Sequence, residues 1–148
     1  MKKPLWALAS GCVPDALPWE IPKIAASAGF LSSGMWVDPE TTWTNDALKK
    51  TKASIRETNI ELIDVEVIWL EKTKKATDRH KLIVDVGLEL QARNILVVSR
   101  HENYNDSIDQ FRDICERAEN DMRVCLEFGE FTSIKSLPKA REFINAVD

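Results

Sequence analysis

Ile60-Glu-Leu-Ile-Asp-Val-Glu-Val-Ile-Trp-Leu70 is the stretch on which the fold turns. β-Branched, aromatic and other large apolar residues dominate it, and no Gly or Pro interrupts it, so it reads as one long strand. A two-residue period puts Ile63, Val65, Val67 and Trp69 on one face and Leu62, Asp64, Glu66 and Ile68 on the other. Apolar residues on both faces imply a strand covered on both sides, the usual state of a strand in a parallel sheet.

Helical patterns flank this strand. Asp46 to Thr58 presents Ala47, Leu48, Thr51 and Ile55 on one face, with Thr44 or Asn45 as its cap. Thr77 to Gln91 repeats the pattern with Leu82, Ile83, Val86 and Leu90. Farther out, Leu5 to Ser10 and Phe30 to Val37 read as strands around a helix within Pro14 to Ala28. Pro18 and Pro22 must lie in or before its first turn, and Gly29 ends it. Asn94 to Ser99 is an unbroken strand run. The next helix starts at Asn105 or Asp106 and turns Ile108, Phe111, Ile114, Cys115 and Ala118 inward. Met122 to Phe128 is the fifth strand, and Ser136 caps a last helix over Leu137 to Ala146.

Five strands thus alternate with five helices, each pair taking about 25–30 residues, the size of a βα unit. Strict alternation implies a parallel sheet with right-handed crossovers. The fold class is α/β, a (βα)5 parallel sheet forming one domain over residues 1–148. Two architectures suit it: part of a TIM barrel, or a flavodoxin-like doubly wound sheet. A whole barrel needs about 250 residues, and 148 cannot close one.

Composition narrows the function classes. A net charge of −4 with no basic cluster argues against a nucleic-acid surface. No apolar run approaches the roughly 18 residues of a membrane span. Cys12, Cys115 and Cys125 are too scattered for a disulfide framework or a zinc pair. Met1-Lys2-Lys3, a short apolar run and Ser10-Gly11-Cys12 imitate a lipoprotein leader. The run from Leu5 to Ala9 is shorter than the roughly 7–15 residues a leader core needs, so a cytoplasmic protein is expected. Neither a G-x-G-x-x-G nor a G-x-x-x-x-G-K-[ST] loop occurs, which removes the usual nucleotide sites.

The barrel reading directs attention to the C-terminal ends of the strands, where such folds keep their sites. Those ends carry Trp36 and Asp38, Glu66 and Trp69, Ser99-Arg100-His101-Glu102, and Glu127 and Glu130. Carboxylates and an imidazole meeting on one face would suit a divalent cation. On strand five, Arg123, Cys125 and Glu127 share a face, and Arg123 is a ready ion-pair partner for Glu127. His101 is a metal ligand or base at the mouth of strand four, or an exposed loop residue beside Arg100 and Glu102. His80, near the start of a helix, is expected to be solvated. Cys125 is expected to be a small buried residue. Trp6, Trp36 and Trp69 would line a pocket or fill the core.

The segments Gly34-Met-Trp-Val-Asp-Pro39, Ile63-Asp-Val-Glu-Val-Ile-Trp-Leu70, Ala92-Arg-Asn-Ile-Leu-Val-Val-Ser99 and Leu126-Glu-Phe-Gly-Glu-Phe-Thr-Ser-Ile134, with Ala28-Gly-Phe30, resemble the sugar phosphate isomerase/epimerase family. These are the xylose isomerase-like TIM barrels. The resemblance covers nearly the whole chain but only the first five βα units of the family. It implies a metal-dependent sugar or polyol isomerase or epimerase that moves a proton next to a carbonyl. It further implies one divalent metal, Mn²⁺, Mg²⁺ or Zn²⁺, held by one carboxylate from each of strands five, six and eight and an imidazole from strand seven. Glu127 matches the strand-five ligand and Glu66 the strand-three Glu. The other three ligand positions would lie beyond Asp148. Catalytic roles therefore fall to Glu127 and Glu66, metal binding to Glu127, and substrate contacts to Trp36, Trp69, Arg100 and His101. Two departures stand out: Leu31 where relatives often have Asp, and Gly129-Glu130 where they often have Met-Pro.

A five-unit sheet leaves two parallel edges and an inner face open, with Leu62 and Ile68 expected to be exposed there. Self-association that covers them is expected. Three readings follow: a truncated isomerase or epimerase, a non-catalytic self-associating module, or an oligomer that assembles a site from repeated Glu66, His101 and Glu127.

Overall fold

The computed structural model describes residues 5–73, 76–119 and 121–147. Five parallel strands lie side by side in chain order: β1 (Ala7–Leu8), β2 (Ser32–Trp36), β3 (Glu61–Leu70), β4 (Asn94–Ser99) and β5 (Arg123–Glu127). Between and after them run α1 (Ile21–Ser27), α2 (Asn45–Thr58), α3 (Ala76–Glu89), α4 (Tyr104–Ala118) and α5 (Leu137–Val147). Sequential strand order decides between the two architectures. A doubly wound sheet reverses its order at a switch point and puts helices on both faces. Here one core joins the strands to residues of or beside all five helices, including Ile21, Ala47, Ile83, Phe111 and Phe143, so the helices cover a single face.

Local chemistry places most of the boundaries. Pro22 sits in the first turn of α1, where its missing N–H costs nothing. Gly29 follows with φ +83, a conformation that favours glycine. The Thr44 hydroxyl accepts from Ala47 N and caps α2. Asn103 caps α4 through Asn105 N and Asp106 N, so that helix begins just before the expected Asn105.

Several expectations are corrected. The first strand pairs over Ala7–Leu8 alone, and Ser10–Cys12 is a 3₁₀ turn, because the chain must bend at once to reach α1. That helix is limited to Ile21–Ser27 by Pro18 and the turns before it. Met1 to Lys3, the start of the leader-like pattern, lie outside the described residues. Leu82 is exposed, and Val84 takes its place in the core with Ile83, Val86 and Leu90.

The largest correction concerns β3. Against β2, Ser33 pairs with Leu62 but Gly34 pairs with Asp64, so β3 carries one extra residue. Against β4, Val65 pairs with Ile95 and Ile68 with Val97, which inserts a second. Each extra residue shifts the alternation by one. Leu62, Val65, Ile68 and Leu70 all enter the helix-side core, whereas Asp64, Glu66 and Trp69 take the other face. Neither Leu62 nor Ile68 forms an exposed inner patch. Exposed large apolar residues include Leu5, Trp6 and Leu31 around β1 and the start of β2, and Phe128, Phe131, Leu137 and Ile144 around β5 and α5.

Packing of α3 on β3 depends on Gly87. A Cβ there would stand 2.7 Å from Met122 Sδ and 2.8 Å from Val65 Cγ2. Gly87→Ala is therefore expected to destabilise the fold by about 1–3 kcal/mol through overpacking, despite alanine's helix preference of about 1 kcal/mol. Urea denaturation measures this, and an unchanged or raised midpoint would contradict the close packing.

Candidate active face at the strand ends

The two register shifts give the inner face its chemistry. Gly34, Asp64 and Asn94 occupy consecutive register positions across β2, β3 and β4. Gly34 is needed here: a Cβ on it would sit 2.6 Å from Asp64 Oδ1 and 3.5 Å from Glu66 Oε1. The Ser10 hydroxyl, in the turn after β1, donates to Glu66 Oε1. Asn94 Nδ2 donates to the Ile63 carbonyl, and Cys125 Sγ lies 3.9 Å from Asn94 Oδ1. Burial, reinforced by the Glu66 charge, pushes the Asp64 carboxyl up to about 6. Burial also raises the Cys125 thiol; the Asp64 charge adds to this and Arg123 opposes it.

Beside this group lies a cleft of about 290 Å³ at the ends of β1 and β2. Ser10, Gly11, Ile21, Trp36, Asp38 and Thr41 contribute to its walls. Trp36 is 46% exposed, so its ring is available to a ligand rather than consumed by the core. Asp38 accepts from Glu40 N at 2.9 Å and Thr41 Oγ1 at 2.7 Å, which fixes the loop after β2. Burial raises the Asp38 carboxyl, but these hydrogen bonds and Arg79 outweigh it and leave it below its ordinary value.

The remaining sequence candidates divide. Glu127 ends β5, half-buried and opposite Val98 on β4. Arg123 and Glu127 share a face as expected, but no ion pair joins them among the described residues. Trp69 and Arg100 engage each other, the guanidinium carbon standing 3.5 Å from the ring centroid.

His101 is not an exposed loop residue: it is 5% exposed. Its Nδ1 accepts from Asn103 N at 3.0 Å, and its Nε2 lies 3.8 Å from Asp106 Oδ2. It lines a cleft with Ser99, Ser107 and Phe143 that includes neither Glu66 nor Glu127. The cap of α4 draws the ring toward the helices, so it does not join the carboxylates. His80 is likewise buried rather than solvated. Its Nε2 donates to the Trp69 carbonyl at 2.9 Å, and burial lowers its pKa. Trp6 is 71% exposed and lies in neither the core nor the cleft.

Among the described residues, no three His, Cys, Asp or Glu side chains gather as a cation would require. Glu127 alone is a single carboxylate donor, and that donor set does not fit the four-ligand site the resemblance implies. The sequence pattern missed Asp64 and Ser10 as site residues. The signal for Asp64 was its place two residues before Glu66 on one face; Ser10 gave none, because its role depends on the turn after β1.

No protein-family model matches the chain, and no curated protein matches its sequence. Solved structures do match. A D-psicose 3-epimerase from Clostridium cellulolyticum H10 superposes with a TM-score of 0.77 at 16% identity, over 96% of this chain and 59% of that one. A xylose isomerase domain containing protein from Salmonella typhimurium LT2 gives 0.76 at 12% identity, over 97% and 57%. The fold is the first part of a xylose isomerase-like TIM barrel. A probable 3-DHS dehydratase from Bacillus anthracis shares it, with a TM-score of 0.72 at 16% identity, over 97% and 59%. This partial barrel therefore spans less than two thirds of the length of the structures it matches.

The Asp64 shift has a stability consequence. With a folded value of about 6 against an ordinary 3.8, folding is favoured below about pH 4 and loses stability as pH rises toward 6. Asp64→Asn is expected to match the parent near pH 4 and to exceed it at pH 7.5. The gain should be about 1 kcal/mol after allowance for solvent screening of a partly buried group. Urea midpoints across this range measure the difference, and equal midpoints at pH 7.5 would contradict the burial of the charge.

Proposed function

We propose that this chain supplies the first five βα units of a sugar or polyol isomerase/epimerase-like barrel, acting by proton transfer next to a carbonyl. The observation that supports it is the placement of Glu66, held by Ser10, beside the Trp36-walled cleft at the ends of β1 and β2, with Glu127 at the end of β5. An aromatic face beside hydroxyl and carboxylate groups suits a polyhydroxy ligand, and a positioned carboxylate suits proton abstraction. In this reading Glu127 and Glu66 act on the substrate, and Trp36 and Trp69 contact it. Arg100 contributes through its stack on Trp69.

The divalent metal of the resemblance enters only with donors that the described residues do not provide. When bound, such an ion polarises a carbonyl oxygen. Glu127 is the one position here that would face it.

A second reading, a self-associating module without catalysis, draws on the exposed apolar residues around β1 and around β5 and α5. Unpaired parallel edges with apolar flanks invite a partner, and a second copy of this chain is the partner we propose. A cytoplasmic location agrees with three cysteines free of disulfides. No helix among the described residues is long and apolar enough to cross a membrane.

Native mass spectrometry with Mn²⁺ and a ketohexose tests these readings together. A dimer or larger oligomer that retains the ketohexose, and loses it in Glu127→Gln, is the expected result. An oligomer that retains neither favours the non-catalytic module. A monomer at micromolar concentration that retains neither contradicts both.

A further inference from the structure

We propose that the cleft between α3 and α4 binds a linear polyamine of the spermidine class, with one ammonium group donating to His80 Nδ1 and the others meeting the acidic wall of α4. The site lies on the helix side of the sheet. It is separate from the candidate active face and does not depend on the function proposed above.

The cleft encloses about 650 Å³ and runs from Thr77 to Asp85 along α3 and from Gln110 to Glu119 along α4 and its cap. At 1.5 Å per residue the trough is roughly 12 Å long, a length that an extended spermidine matches. Two acceptors in its lining lack donors. His80 is 6% exposed, and its Nε2 lies 2.9 Å from the Trp69 carbonyl. A carbonyl only accepts, so Nε2 carries the proton and Nδ1 keeps a lone pair. The two ring nitrogens point to opposite sides of the imidazole. With Nε2 turned down to β3, the lone pair faces away from the sheet, toward the cleft that His80 lines. No group among the described residues donates to it. Burial lowers the His80 pKa, which keeps this acceptor free of a proton.

Gln110 repeats the arrangement. Its Nε2 donates to the Glu71 carbonyl at 3.2 Å, which fixes the amide orientation, and its Oε1 is buried with no partner. Buried acceptors without donors are costly, so the cleft favours an occupant rich in N–H groups.

The charge of the walls selects a cation. Arg117 and Asp85 pair between the two helices, at 2.7 and 2.6 Å, and cancel. Asp113, Glu116 and Glu119 remain against Lys81. None of these four joins an ion pair among the described residues. Asp113 is close enough for its charge to act on the His80 ring. A metal ion does not fit, because no three His, Cys, Asp or Glu side chains among the described residues gather closely enough to hold one. Acceptors spread along a trough suit several ammonium groups on one flexible chain, each in a charge-assisted hydrogen bond.

The test is a spermidine titration of the intact chain at pH 8 and physiological ionic strength, followed through the imidazole ¹⁵N resonances. The parent chain carries the decisive reading, so no variant has to fold. The expected result is a saturable upfield movement of the His80 Nδ1 resonance, with His101 unmoved. A second reading uses Asp113→Asn with Glu116→Gln, both at exposed positions. This double variant is expected to weaken spermidine about tenfold, the order of one lost charge-assisted hydrogen bond. A His80 resonance that spermidine leaves in place would overturn the proposal. So would an equal response to Mg²⁺, which would mark diffuse attraction to a negative surface, or an affinity that the double variant does not change.

Discussion

Over the stretch it shares with its neighbours, β3 carries one more residue than β2 and one more than β4, and the arrangement of the chain depends on those two insertions. A strand with strict alternation would put Leu62, Asp64, Glu66 and Ile68 on one face and bury carboxylates beside aliphatics. The insertions sort them. Leu62, Val65, Ile68 and Leu70 pass into the helix-side core, and Asp64, Glu66 and Trp69 remain on the inner face. Burying an unpaired carboxylate in that core would cost several kcal/mol, so the shifts are what make this sequence compatible with one packed layer. They also bring Asp64 and Glu66 against Gly34, where the absent side chain leaves room for both.

Much of this was legible in the sequence. Alternating βα units, the α1 proline and its terminal Gly29, the Thr44 cap and the inward face of α4 follow from backbone sterics and period alone. What was not legible depends on contacts between distant segments. A bulge is a mismatch between neighbouring strands, and one strand's sequence does not announce it. His101, beside Arg100 and Glu102, read as either a ligand or base or an exposed loop residue, and His80 looked solvated from its place near the start of a helix. The structure buries both, one beside the cap of α4 and the other on the Trp69 carbonyl of β3. Ser10 became a partner of Glu66 only because β1 stops after two residues.

The two faces of the sheet do different work. The helix side is a continuous apolar core closed by the edge-to-face rings of Phe111 and Phe143, 5.5 Å apart. The inner side carries polar groups from four strands or the turns after them: Ser10, Asp64, Glu66, Asn94 and the β5 trio Arg123, Cys125 and Glu127. In the longer barrels that share this fold, the same side faces the interior and its upper rim holds the chemistry. Stabilising contacts gathered on the helix side allow the inner face to hold a partly buried carboxyl such as Asp64.

The face assignment of β3 is the central claim, and peptide-resolved thiol labelling under native conditions tests it most directly. Glu66→Cys and Ile68→Cys differ by two positions, so strict alternation would place them on the same face and make them react alike. The account predicts rapid modification at position 66 and protection at position 68 until denaturant unfolds the chain. Equal reactivity at the two positions, or protection at 66 with reaction at 68, would contradict it.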